Sequence, residues 1–232
     1  MDRDRAFEAR VARFVATVDG DPTLDEAALA IAALLRPAID EIGVLADLDQ
    51  LAADCPTPTR DGVVQHLFQP PGRDRLAMFS GDRRDYHAWQ NSSLDLVLRR
   101  RSGMPITLSV IAIEVARRVG VRLVGVGLPG HFVVGDPADP GWYADPFHGR
   151  TGLGPDDCRR VVAAQGVTRW SDRFLEPVAV RSIVQRILNN LVVSLDRSGD
   201  APMLAMVMAA RARLPDFSDE RDDLATSLAA LN

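Results

Sequence analysis

The sequence predicts an α+β fold: a buried helix packed on a small antiparallel sheet, flanked by helical N- and C-terminal regions. Three observations carry this. The run from Pro105 to Val119 is apolar almost all round, with one charged stripe at Glu114, Arg117 and Arg118; a helix of that kind is buried on most of its surface. Short β-branched and aromatic segments follow at once, at Val121–Val126, His131–Val134 and Trp142–Asp145, separated by turn chemistry. The flanks on both sides read at helical period, broken by proline and glycine.

Residues 5–19 place Ala6, Phe7, Val11, Phe14, Val15 and Val18 at helical spacing. Thr23 and Glu26 have the spacing of a capping box ahead of Ala27–Leu35, and Pro37 ends that helix. Ile39–Ala53 and Asp61–Phe68 continue the pattern on either side of a loop marked by Pro56 and Pro58. Residues 69–72 and 81–87 are loop-like. Asn91, Ser92 and Ser93 precede a helix over Leu94–Arg101, where such side chains serve as caps. Pro105 suits a first helical position, because the N–H it lacks has no intrahelical partner there, and Gly120 supplies the stop.

After the strands, Asp156 and Asp157 occupy the first turn of a helix that ends before Gly166, the placement the helix dipole favours. Three helical runs follow, Val178–Leu195, Met203–Arg213 and Asp219–Leu231, with Ser218 as a cap for the last. The expected division is a helical region over 1–85, a core over 86–167 and a helical tail over 168–232. That tail is too short to stand as a repeat array, so it is expected to dock on the core.

Composition excludes several classes. The chain has 232 residues, a net charge of −5 and 47% hydrophobic residues. That is a globular chain, and its acidic balance weighs against a nucleic-acid partner. No apolar run approaches the ~20 residues that cross a bilayer, and MDRDRAFEAR lacks the apolar core of a signal peptide. The expectation is a cytoplasmic protein with no membrane partner. Every basic residue other than His is Arg, so no Lys is present to form a Schiff base. Cys55 and Cys158 are too few for a disulfide framework.

His131 and Asp145 are the strongest candidate pair. If their strands form a hairpin, the two side chains lie together. A carboxylate beside an imidazole fixes its tautomer and stabilises its protonated form, which suits a general base; the plainer alternative is a buried structural pair at a sheet edge. A nucleophile is harder to find. Ser109 lies one turn after Pro105 on the same face, where a serine ordinarily bonds a backbone carbonyl. Ser92 and Ser93 approach from another wall. His148, three residues after Asp145, makes two His and one Asp, a set that suits a metal in kind. Pro146 argues against a regular helical presentation of that set, and neither a metal nor a cofactor is expected. The letters of Gly125–Gly130 match a dinucleotide fingerprint, but they lead into a strand where the fingerprint must open a helix. Arg99–Arg101 is a basic cluster at a helix end, and His66 and His87 have no evident partner.

Three motifs together resemble the SirB-type branch of the transglutaminase-like superfamily, which is related in site design to papain-type cysteine hydrolases. They are NSSLDLVLRRRSGMPITLS (Asn91–Ser109), GVGLPGHFVV (Gly125–Val134) and DPFHG (Asp145–Gly149). The resemblance spans most of the chain. It implies a bacterial protein with a transglutaminase-like core and a tetratricopeptide-like tail. It also implies that His131 and Asp145 stand where catalytic members keep the base and its orienter, and that Asn91, Ser92 and His148 contribute to binding in the cleft. Catalytic members place a Cys at the tip of the central helix, where the helix dipole and the His lower the thiol pKa. Counting back from Gly120 puts Pro105 at that position. Two functions follow. One is a non-catalytic module that takes a peptide or protein in its cleft. The other is a hydrolase or acyltransferase with His131 as base, Asp145 as orienter and a non-Cys nucleophile such as Ser109.

Overall fold

The computed structural model describes residues 2–72 and 75–214. Four helices come first: α1 (Asp2–Asp19), α2 (Leu24–Leu35), α3 (Glu41–Ala53) and α4 (Arg60–Phe68). The caps explain their starts. The Glu26 carboxylate accepts from the Thr23 N–H at 2.9 Å, Asp40 accepts from Gly43 N–H at 2.9 Å, and Thr59 accepts from Gly62 N–H at 3.1 Å. Each side chain satisfies a backbone donor that has no intrahelical partner.

A two-residue strand β1 (Ser80–Gly81) pairs in parallel with β2 (Ser102–Gly103), on either side of the short helix α5 (Leu94–Arg100). This pairing had no sequence signal, because two residues cannot display a period. Next comes α6 (Pro105–Arg118), with Met104 at its N-cap and Pro105 as the first helical residue. Every residue from Pro105 to Ala116 is buried.

The antiparallel sheet has four strands in the order β3 (Val124–Val126), β4 (Val133–Asp136), β5 (Asp139–Asp145) and β6 (Arg150–Leu153). The sequence predicted at least three. The fourth, β6, was not named: it is a four-residue edge strand interrupted by Gly152 with φ +69°. The sequence also read 136–141 as loop, whereas β5 already begins at Asp139 after a tight turn at Pro137 and Ala138. The predicted hairpin is present, with Val134 opposite Ala144 and Gly135 opposite Tyr143. His131 lies just before β4 rather than within it.

α7 (Pro155–Ala164) packs beneath β5 and β6, and α8 (Val180–Ser198) and α9 (Ala201–Ala212) close the described chain. α9 lies on α1 and α2, and α8 on α2 and α6. One continuous apolar core runs from Val11 and Phe14 through Leu108 and Ile111 to Leu188 and Leu214. Asp219–Leu231 and its cap Ser218 lie outside the described residues. No described helix is long and apolar enough to cross a membrane.

α4 braces the sheet. Arg60 pairs with Asp136 at 2.7 Å and Asp139 at 3.0 Å and lies over the Trp142 ring. Asp61 accepts from Trp142 Nε1 at 3.3 Å and from Thr151 Oγ1. Gln69 donates to the Gly149 carbonyl at 3.0 Å. At Gly149, φ is +63° and a Cβ would collide with the Phe68 carbonyl oxygen, so both backbone sign and space call for glycine. The turn carrying His148 is thereby fixed against α4.

Candidate functional site beside the central helix

His131 and Asp145 do meet. His131 Nε2 lies 2.9 Å from Asp145 Oδ2, with 6% and 1% of the two residues exposed. His148 reaches the same oxygen: its Nδ1 is 2.7 Å from Oδ2, and its backbone N–H donates to Oδ1 at 3.2 Å. The proline did not prevent this. Pro146 sits in a turn closed by Gly149 N–H on the Pro146 carbonyl at 3.3 Å, and proline is at home early in a tight turn. The turn, not a helix, brings residues 145 and 148 together.

The electrostatics follow from the geometry. Burial pushes the Asp145 carboxyl upward, but hydrogen bonds from His131 and His148 and their charge outweigh it, so the group is held far below the usual carboxylate range. An ionised Asp145 only accepts. Both facing ring nitrogens are therefore assigned as N–H donors. In neutral His131 this leaves Nδ1 with its lone pair, and no described protein group bonds it. That lone pair is free to accept a hydrogen bond or a proton.

The surroundings are aromatic. Phe147 meets the His131 ring edge-on with centroids 6.0 Å apart, the His148 ring is at 5.5 Å, and Tyr86 stands edge-on to Phe147 at 5.8 Å. Gly81 lies against Phe147, where a Cβ would come within 2.5 Å of the ring. From α8, Arg186 donates to the carbonyls of Leu128 at 2.9 Å and His131 at 3.0 Å, and lies over the Phe132 ring. No local signal marks Arg186, which is 55 residues downstream of the loop it clamps.

The hydroxyls do not complete a triad. Ser92 Oγ donates to Met104 Sδ at 3.1 Å, Ser93 Oγ to Asp95 at 2.6 Å, and Thr107 Oγ1 to the Asn91 carbonyl at 2.6 Å. Ser109 is fully buried, and its Oγ has no hydrogen-bond partner, neither the backbone carbonyl expected of it nor His131. Asn91, also fully buried, donates to the carbonyls of Asp85 at 2.7 Å and Tyr86 at 3.3 Å and accepts from Arg100 at 3.0 Å. Asn91 and Ser92 thus stand behind the wall, with their polar groups engaged by the protein. Met104 and Pro105 form the helix tip, and both are buried.

Neither thiol is near this arrangement in function. Burial pushes Cys158 up to about 12, with Asp157 and Asp145 adding to the shift, so it stays protonated. The half-buried Cys55 donates to the Thr57 carbonyl at 3.4 Å.

Comparison with known proteins bears on this geometry. The family described as the transglutaminase-like superfamily matches residues 43–189, which include α6, the sheet and most of α8. A UPF0162 protein of Xylella fastidiosa is 43% identical over 135 residues, covering 56% of this chain and 46% of that protein. The chain thus spans about half the length of these Xylella relatives. A UPF0162 protein of Pseudomonas aeruginosa is 33% identical over 195 residues, covering 82% of this chain and 71% of that protein. Human F-box only protein 21 is 32% identical over 130 residues, which is 20% of its length. No solved structure matches. The chain belongs to the transglutaminase-like superfamily, with UPF0162 proteins among its homologues.

Proposed function

We propose that the protein is a SirB-type, cytoplasmic transglutaminase-like module without covalent acyl-transfer chemistry, binding a peptide or protein beside His131. One observation carries this reading: the tip of α6 is Met104–Pro105, and no described hydroxyl or thiol hydrogen-bonds His131. Acyl transfer through a covalent intermediate needs a nucleophile within hydrogen-bond reach of its base. The His131 Nδ1 lone pair instead accepts an N–H from a bound chain, and the Phe147 and Tyr86 rings give that chain an apolar wall. The α8–α9 pair is read here as the start of a tetratricopeptide-like tail.

The competing reading keeps His131 as base and Asp145 as orienter for a non-Cys nucleophile, and the free Nδ1 is what favours it. Intact-mass analysis after treatment with fluorophosphonate and vinyl-sulfone probes separates the two. No adduct is expected in the wild type. An adduct that disappears in His131→Ala overturns the binding-module reading. The positive arm is selection from a displayed peptide library: enriched peptides should bind the wild type and lose at least ~10-fold in affinity on His131→Ala, about the ~1.4 kcal/mol that a tenfold change represents. Ser109→Ala should leave their binding unchanged.

A further inference from the structure

We propose that His131, Asp145 and His148 form a site for a divalent transition-metal ion of the zinc class. The ligand atoms are His131 Nε2, Asp145 Oδ2 and His148 Nδ1, which all lie within 4.8 Å of one another. Two imidazoles and one carboxylate are the donor set that borderline ions favour, with the remaining positions open to water or a ligand. The inference does not depend on whether the protein has a nucleophile.

Four features support it. First, the distances are nearly right. An ion about 2.0–2.2 Å from each donor holds the donors roughly 3.0–3.5 Å apart, and the two N···O separations here are 2.9 and 2.7 Å. The two N···O pairs open by a few tenths of an ångström, while the two ring nitrogens, up to 4.8 Å apart, must draw together toward the same range, and the His148 side chain, 39% exposed, has room to make that move. Second, the donors converge: both ring nitrogens face the same oxygen, Asp145 Oδ2, on a side chain only 1% exposed. Third, the protons have somewhere to go. Each imidazole now presents N–H to Asp145. Coordination moves that proton to His131 Nδ1 and His148 Nε2, and neither atom has a bonding partner among the described residues; in the metal-bound form Nδ1 then donates to a bound chain, where in the metal-free form it accepts. Fourth, the ligands are held from behind. Asp145 Oδ1 accepts the His148 backbone N–H, and Arg186 fixes the His131 carbonyl at 3.0 Å. Such outer contacts orient ligands and raise affinity.

Access is one-sided. His131 and Asp145 are buried, so the ion enters past His148, and its open position faces the same side. Phe147 stands edge-on to the His148 ring, with centroids 5.0 Å apart, and lines the same approach.

The test uses the full chain stripped of metal with a chelator. Cobalt(II) is titrated in and followed by its visible ligand-field bands, and zinc is then measured by competition with a chromophoric chelator. One equivalent per chain is expected, with intense bands of low coordination number. His148→Ala should weaken binding by at least ~100-fold, because loss of a ligand exceeds the 10–100-fold cost of losing an outer contact. His148 is exposed enough for that variant to fold, which circular dichroism verifies. His66→Ala, away from the cluster, should bind as the wild type does. Absence of stoichiometric binding, or binding that survives in His148→Ala, overturns the proposal.

Discussion

Two buried carboxylates, one at the C-terminal end of α6 and one in the sheet, share one design and differ in one chemical choice. At the C-terminal end, Asp25 Oδ2 accepts from Arg117 at 3.1 Å and Arg118 at 2.6 Å. Near the sheet, Asp145 Oδ2 accepts from His131 at 2.9 Å and His148 at 2.7 Å. In each, one oxygen takes two donors, from adjacent residues of one helix turn in the first and from two separate turns of chain in the second. Guanidinium cannot lose its proton in a protein, so the first cluster has one state. Imidazole changes tautomer and charge near neutrality and offers a lone pair, so the second has several. The Arg cluster also takes in Glu114, 1% exposed and raised by burial, and Asp49 at 2.7 Å, and so fastens α2, α3 and α6 together. The charged stripe legible in the sequence is thus an internal joint and not a solvated face.

The largest expected effect is on the joint. Asp25→Ala removes one of the three carboxylates on Arg118, whose side chain is only 12% exposed, and leaves it Glu114 and the exposed Asp49. Losing the bonds from Arg117 and Arg118, at roughly 1.5–3 kcal/mol for each bond to a charged group, should cost about 3 kcal/mol, read as a lower urea midpoint at pH 7. Burial raises Asp25, but bonds from Thr23 and Arg118 prevail and bring it to about 2. A depressed folded value stabilises above the ordinary carboxylate pKa and fades as pH falls toward about 2. The gap between wild type and Asp25→Ala should therefore narrow only in strong acid. A variant as stable as wild type at pH 7 would mean the joint holds nothing.

Asp145→Asn comes next. It removes the charge that both imidazoles address, and hydrogen bonds to charged groups are worth roughly 1.5–3 kcal/mol each. We expect a loss of about 2 kcal/mol at pH 7. Asp145 is also depressed, so its contribution is present above the usual carboxylate range and lost below it. Equilibrium unfolding at pH 7 and pH 3 checks this. A difference that grows on acidification would reverse the sign and break the parallel with Asp25.

A third substitution tests whether a guanidinium in the imidazole region plays the same part as one in the joint. Arg186 meets backbone carbonyls there, at Leu128 and His131, and the face of Phe132. Arg186→Leu should cost about 1–2 kcal/mol through those charge-assisted bonds and loosen the 127–131 loop. Hydrogen exchange at the His131 amide, which donates to the Leu128 carbonyl at 3.1 Å, should quicken. Unchanged exchange would confine Arg186 to packing.

Much of this was legible in sequence. Pro105 and Gly120 bracketed α6 because their backbone limits are local, and Gly120 has φ +78°. The pairing of His131 with Asp145 followed from two strands and a short connection. What stayed hidden was non-local or geometric. The His148 contact depended on a turn whose direction the Pro146–Gly149 sequence permits but does not dictate. Asn91 and Ser92 were expected in the cleft from the family resemblance alone, and their burial at 0% and 2% exposure, set by tertiary packing, has no signal in their local sequence. Arg186 acts through tertiary contact with no spacing to betray it.

The smallest effects sharpen the comparison most. His148 and Arg117 are the outer donors of the two clusters, with side chains 39% and 52% exposed. Solvent screens such pairs, so His148→Ala and Arg117→Ala should each cost under about 1 kcal/mol. Their consequences diverge in the partner that remains. After Arg117→Ala, Arg118 keeps its proton because it has no other state. After His148→Ala, Asp145 still holds His131 through Nε2, and long-range 1H–15N spectra should show that ring protonated at Nε2 with Nδ1 bare. Should His131 instead carry its proton on Nδ1, the carboxylate alone does not set the tautomer, and His148 would be a working part of the pair rather than its outer neighbour.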